Sequence, residues 1–364
     1  MCFTVRPHRL QHFGIPARTF VLITHTTHAG NIKMVPDGSY ESCEVVTYDQ
    51  GDDFHAIVQR LPQQAHVLVI SPKRDFAVPP PALLGTRQLS AVLGHSTPTS
   101  EADLQHILTA IDQTDPLHQQ TVAERLFTLA NDRPQLTLMD PQYGTEAVLQ
   151  HWRGDHEWRP QAGPLTEWGS YQTVPAGEIS LVPCGASDAH GSASRPDRRL
   201  LLDGDIALRG YPIVHGGETT RARRTQAHLY KALEPLTEHA IIATVRAGEI
   251  TQFRAAAPQA APAVTLFQEL LARHPHYRTI AELGLSFNDA FEPLPGNHAA
   301  NEVWGGRYGT VHIGIGPQPF TPYHVTVVCP GLTLLGKDSH LLVGPPPGTA
   351  VEPQPDGVAE RLAG

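Results

Sequence analysis

The hydrophobic rhythm of the chain changes near its middle, and that change limits the fold more than any motif does. In the first part, short apolar runs alternate with helical patterns. Residues 20–24 (FVLIT), 44–48 (EVVTY) and 66–70 (HVLVI) read as strands, and residues 53–61 between the last two have helical spacing. Strand, helix and strand at that pitch imply a parallel sheet. Ser100, followed by Glu101 and Asp103, starts a helix to about residue 112, because the serine can cap it and the acids favour its N-terminal dipole. A further helix is expected over 120–130 and a strand over 135–139. From about Gly154 prolines, glycines and strand-like runs dominate: 178–182, 199–202, 206–208, 240–245, 311–315 and 324–328, with one helix over 263–271. Asp203-Gly204 reads as a hairpin turn, since that dipeptide tolerates positive φ. The expected organisation is an open parallel α/β domain (1–153), an antiparallel β-rich domain (154–344) and a Pro-rich disordered tail (345–364).

Composition narrows the class of partner. A length of 364 residues suits two domains, and 17% charged with 40% apolar residues is globular. A net charge of -9 without a basic block argues against a nucleic-acid groove or an anionic membrane surface. A peptide or small molecule is the better expectation, and a homodimer is left open. The first residues carry no apolar run of signal-peptide type, and no segment approaches about eighteen unbroken apolar residues, so a soluble, cytoplasmic protein is expected. Cys2, Cys43, Cys184 and Cys329 form no C-x-x-C pair, which speaks against a zinc knuckle or disulfide framework.

The residues with the most chemistry lie in 281–328. Glu282 is followed by a Gly/Asn/Asp-rich loop, and His312 and His324 flank a Gly/Pro-rich reversal that can bring them together. Two histidines and one carboxylate satisfy a mononuclear iron or zinc site. The chain has 21 histidines, however, and each of these two could equally bond a neighbouring carbonyl. Other candidates are weaker. His25-Thr26-Thr27-His28 follows the first strand and is more simply a polar turn; Asp203-Gly204-Asp205 lacks the later ligands of a calcium loop; Arg221-Ala222-Arg223-Arg224 is more simply a solvated helix start.

Three blocks resemble the M29 metallopeptidases, also called thermophilic or T-type aminopeptidases, and their ring-opening dihydroxypyridine dioxygenase relatives. Val174-Pro175-Ala176-Gly177-Glu178-Ile179 is similar to the family's P-x-G-E-V segment, Ala281-Glu282-Leu283-Gly284 through Asn288 to E-L-G-I-G-x-N, and Gly309-Thr310-Val311-His312-Ile313-Gly314-Ile315-Gly316 to G-T-V-H-I-A-L-G. The resemblance implies that Glu178, Glu282, His312 and His324 stand where the peptidases hold two metal ions. Those peptidases also use a tyrosine, for which Tyr323 or Tyr308 could stand in, and an aspartate two residues after the second histidine. Here that position is Thr326, a neutral hydroxyl that offsets little of the charge of two cations.

The first expectation is therefore a pseudoenzyme without an intact dinuclear centre and with no bound cofactor. It would bind a peptide or amino-acid-derived ligand at Glu178, Glu282, His312, Tyr323, His324 and Thr326, by strand addition. A fainter likeness to peptide-binding proteins of ribosomal-peptide (crocagin-like) biosynthesis suggests an accessory role there. The alternatives are an enzyme with one Fe or Zn ion on Glu282, His312 and His324, and an active aminopeptidase that recruits Glu302, Asp289 or Asp338 as the missing carboxylate.

Overall fold

The computed structural model describes residues 3–49, 51–71, 79–92, 99–132, 134–151, 156–183, 199–216, 220–317, 320–336 and 339–346. Five strands form a wholly parallel sheet in the order Tyr171–Val174, Arg87–Val92, Ala65–Ile70, Thr19–His25, Ser42–Tyr48. Every residue of Ala65–Ile70 is buried, as expected of a strand covered on both faces. The helix Phe54–Arg60 starts where the Asp53 carboxylate accepts from the backbone of His55 and Ala56, and Glu101–Gln113 starts at a reciprocal Ser100/Asp103 capping box. The next helix, Pro116–Asn131, begins four residues earlier than its apolar spacing suggested, because Asp115 caps it and Pro116 fits its first turn.

The remaining strands build two antiparallel sheets. One has seven strands, ordered Glu249–Ala255, Ile241–Arg246, Leu202–Leu208, Thr145–Gln150, Gln135–Asp140, Thr333–Leu335, Leu341–Val343. The other has six, ordered Tyr211–His215, His324–Cys329, Thr310–Ile315, Ile280–Ser286, Glu178–Pro183, His156–Gln161. A parallel α/β part and an antiparallel β-rich part are thus both present. Sheet membership does not follow chain order: Gln135–Asp140 and Thr145–Gln150 join the antiparallel part, and Tyr171–Val174 adds to the parallel sheet.

Asp203-Gly204 is not a hairpin turn. Both lie inside Leu202–Leu208, and Gly204 sits at φ 134°, where a Cβ would fall 2.2 Å from the Glu146 carbonyl oxygen of the adjoining strand. The glycine serves a close backbone approach rather than a reversal. Asp205 accepts from the Thr244 hydroxyl at 2.7 Å, and Asp203 from the Ala247 backbone at 2.8 Å, so both carboxylates are bound within the fold.

Side-chain alternation sorts the six-stranded sheet into two faces. Ile179, Leu181, Leu283, Leu285, Val311, Ile313, Val325 and Val327 enter the large core shared with the seven-stranded sheet. The intervening positions, Glu178, Ser180, Glu282, Gly284, His312, Gly314, His324 and Thr326, face the other way. On that side Ile213 and Val328 pack into a second core with Leu22, Leu68 and Ile70 of the parallel sheet and with Phe291, Leu294 and Val303. The polar residues therefore lie where the two parts of the molecule meet. Among the described residues, no helix is long and apolar enough to cross a membrane.

Candidate functional site

Register brings the polar residues together. Gly284 pairs with His312, Glu282 with Gly314, Gly314 with Thr326, and His215 with His324, so four adjacent strands offer neighbouring positions on one face. Two glycines give the rings room. A Cβ on Gly284 would fall 1.8 Å from His312 Nε2, and one on Gly314 would fall 2.7 Å from both Glu282 Cβ and His324 Nε2. Glu178 enters from a segment locked in place: Asn288 Nδ2 donates to the Ala176 carbonyl at 2.6 Å and to the Thr114 hydroxyl at 3.1 Å, and Gln119 Nε2 donates to the same carbonyl at 2.8 Å. The asparagine of one motif block thus anchors the glutamate of another.

Six ionisable side chains converge: Glu178, Glu282, Glu302, His215, His312 and His324. His312 is fully buried, and the other five are 12–19% exposed, so the cluster has a floor and an open side. His312 Nε2 lies 3.5 Å from Glu178 Oε1 and 3.7 Å from Glu282 Oε1, and His324 Nε2 lies 3.2 Å from Glu282 Oε2. Glu282 consequently turns one oxygen to each imidazole.

The hydrogen bonds behind the rings fix where their protons sit. Ser286 Oγ donates to the Glu302 carbonyl, which can only accept; its lone pair is then left for His312 Nδ1, 3.2 Å away. His324 Nδ1 lies 3.1 Å from the Gly316 carbonyl oxygen. Both histidines therefore carry hydrogen on Nδ1 and aim Nε2 at carboxylates. A neutral Nε2 lone pair facing carboxylates is repulsive, so each Nε2 calls for a cation, either a proton or a metal ion. His312 Nε2 is buried and makes no close hydrogen bond to a described residue.

The ionisation of the cluster follows from this layout. Burial pushes the His312 imidazole down, but the facing Glu282 and the charges of Glu178 and Glu302 outweigh it and raise the pKa to about 9. His324 is likewise raised: burial opposes its charge and Glu282 prevails. Burial opposes ionisation of Glu282, but His312 and His324 hold its carboxyl well below the usual range. Burial, aided by the charges of Glu282 and Glu302 and opposed by His312, lifts Glu178 to about 7.

These residues fit a metal ion. Ligand atoms about 2.1 Å from one ion lie roughly 3.0 to 3.4 Å apart. One ligand atom from each of Glu178, Glu282 and His312 lies within 4.8 Å of the others, so a small contraction closes the set. An Nδ1–H held from behind is the usual arrangement for a ligating histidine. The tightest group thus includes Glu178, where the sequence-based triad had His324; His324 flanks it across Glu282.

Other predicted residues lie elsewhere. Tyr323 precedes His324 on the strand approach and faces the opposite way, into the core, where its hydroxyl donates to the Ala222 carbonyl at 2.8 Å. Tyr308 is exposed beneath Arg307, and Asp289 is exposed as well. Asp338, Cys2, Cys184 and the tail from 347 fall outside the described residues. His25 caps the short helix Thr26–Ala29 by accepting from the Thr27 backbone, as a polar turn would, and the Arg221 run lies in the helix Thr220–Leu233. Glu302 does reach the cluster, from the 3-10 helix Ala299–Val303.

His215 was not foreseen. Pro212 disguises the strand Tyr211–His215, since proline is rare in central strands, but this strand forms the edge of its sheet, where proline is tolerated. The alternation of Tyr211, Ile213 and His215 was the available signal.

No family model and no curated protein sequence matches the chain. Among solved structures, it is similar to 2,5-dihydroxypyridine dioxygenase from Pseudomonas putida KT2440, with a TM-score of 0.55, 13% identity, and coverage of 94% of this chain and 96% of that one. It is also similar to wild-type AmpT from Thermus thermophilus, with a TM-score of 0.44, 12% identity, and coverage of 90% and 93%. The first likeness shows that nearly the whole chain shares the dioxygenase's fold.

Proposed function

We propose that this protein is a metal-dependent enzyme with one divalent ion held by Glu178, Glu282 and His312, with His324 beside it and the open side facing substrate. The observation that carries this reading is the buried His312 Nε2, which is aimed at two carboxylates 3.5 and 3.7 Å away and makes no close hydrogen bond to a described residue. From sequence alone a metal-free peptide-binding cleft ranked first, because Thr326 replaces a carboxylate. Three glutamates and three histidines in one cluster shift the preference, since a site reduced to binding peptide has no need of that many buried ligand groups.

Bound there, the ion would supply Lewis acidity to a water or carbonyl. The protein's own groups do the rest: Ser286 and the Gly316 carbonyl orient the imidazoles, and Glu282 spans the pair. The occupant of the open side is proposed to be a peptide or amino-acid-derived molecule, on the strength of the motif resemblance.

The test is elemental analysis after the metal-stripped protein is incubated with Zn2+, Mn2+ or Fe2+ and desalted. About one equivalent is expected in the wild type, and well under half of that in His312→Ala. No retained ion in the wild type would overturn the metal reading and return the metal-free cleft to first place.

A further inference from the structure

Position 326 carries a threonine where the resembled peptidases carry a carboxylate, and another residue offers an anionic oxygen close to it. Thr326 Oγ1 lies 3.4 Å from His215 Nε2, and the same nitrogen lies 2.7 Å from Glu302 Oε1. A carboxylate at position 326 would approach the same His215 nitrogen that Glu302 already engages. We infer that Glu302, held in place by His215, supplies to the His324 side of the metal centre the anionic oxygen that Thr326 lacks. This rests on the metal reading above.

Three further observations agree. Glu302 is only 14% exposed and His215 17%, so the pair belongs to the site rather than to the surface. The Glu302 backbone carbonyl receives the Ser286 hydroxyl that orients His312, so one short segment governs both the tautomer of one ligand and the placement of a carboxylate. His215 and His324 sit side by side, their ring centroids 5.6 Å apart and their planes tilted by 38°, so the imidazole that holds Glu302 is itself a neighbour of His324. In this proposal Glu302 joins Glu178, Glu282 and His312 as a further ligand of the one ion, and His215 is a positioning residue that fixes its carboxylate.

Calorimetric titration of metal-free protein with Zn2+ and Mn2+ tests the inference, with unfolding midpoints of the metal-free variants as a control for folding. Glu302→Gln, nearly isosteric, is expected to weaken binding about tenfold or more while the metal-free protein stays folded. Thr326→Asp added to Glu302→Gln is expected to recover most of that loss, because the new carboxylate arrives at the same His215 nitrogen. Wild-type affinity in Glu302→Gln would overturn the inference and leave the metal reading intact. A loss that Thr326→Asp does not recover would also overturn it, since the pair would then serve packing alone. Failure of the wild type to bind either ion would instead overturn the metal reading itself.

Discussion

At the residue scale, Gly284 decides whether His312 can lie against the sheet. The histidine ring occupies the space a side chain at 284 would need, with ring atoms 1.8 to 2.5 Å from an ideal Cβ. Gly284→Ala must displace the ring, because an added Cβ would overlap its atoms. Overpacking of this kind costs about 1–3 kcal/mol. The expected outcome is a lower urea midpoint together with loss of Zn2+ binding; stability lost with affinity retained would mean that His312 is not a ligand. The motif blocks pointed to Glu178, Glu282 and His312, and the Gly/Pro-rich reversal to His324, but neither pointed to their partners. Tyr323 was misplaced because adjacent strand residues face opposite ways, a rule that needs only the knowledge that residue 324 faces the site.

At the element scale, the parallel sheet carries a pH sensitivity of its own. His66, on Ala65–Ile70, is buried, its ring stacked on Phe13 at 4.6 Å and its Nδ1 2.9 Å from the Tyr40 hydroxyl. Burial, only partly offset by Gln88, pushes its pKa down to about 4, from 6.5 in the unfolded chain. The unfolded state therefore takes up the proton first, and stability is retained above pH 6.5 and lost as pH falls toward 4. The slope reaches at most about 1.4 kcal/mol per pH unit for one histidine. Glu178, raised to about 7, acts in the opposite direction over part of this range, so the informative quantity is a difference. Urea midpoints measured at pH 7, 6 and 5 should fall less steeply in His66→Leu than in the wild type; equal slopes would refute the assignment. The central parallel strands were readable from unbroken apolar runs, and the Ser100 helix from its cap. Arg87–Val92, Thr145–Gln150 and Tyr211–His215 were not, because charged residues or a proline interrupt their periodicity, and the partner of Tyr211–His215 lies far away in sequence, at His324–Cys329.

At the scale of the whole molecule, the two antiparallel sheets share one core and the parallel sheet closes over the opposite face of the six-stranded sheet, so the polar cluster is buried by the joining of the two parts. Which sheet each strand joins is set by long-range pairing and was not visible in local patterns; only the two kinds of sheet were. A cluster of three carboxylates enclosed this way needs positive charge to be stable. In the metal-free protein the facing carboxylates favour protons on His312 and His324, which contribute it. An ion and these protons then compete for the same lone pairs, so apparent affinity should rise with pH up to about 9, the pKa to which His312 is raised. The most direct measurement is therefore the number of protons released when Zn2+ binds, obtained by titration calorimetry at pH 7.5 in two buffers of different ionisation enthalpy. Release of at least one proton per ion, abolished together with binding in His312→Ala, is the expected result; binding with no proton release, or no binding at all, would contradict a cation site built around His312.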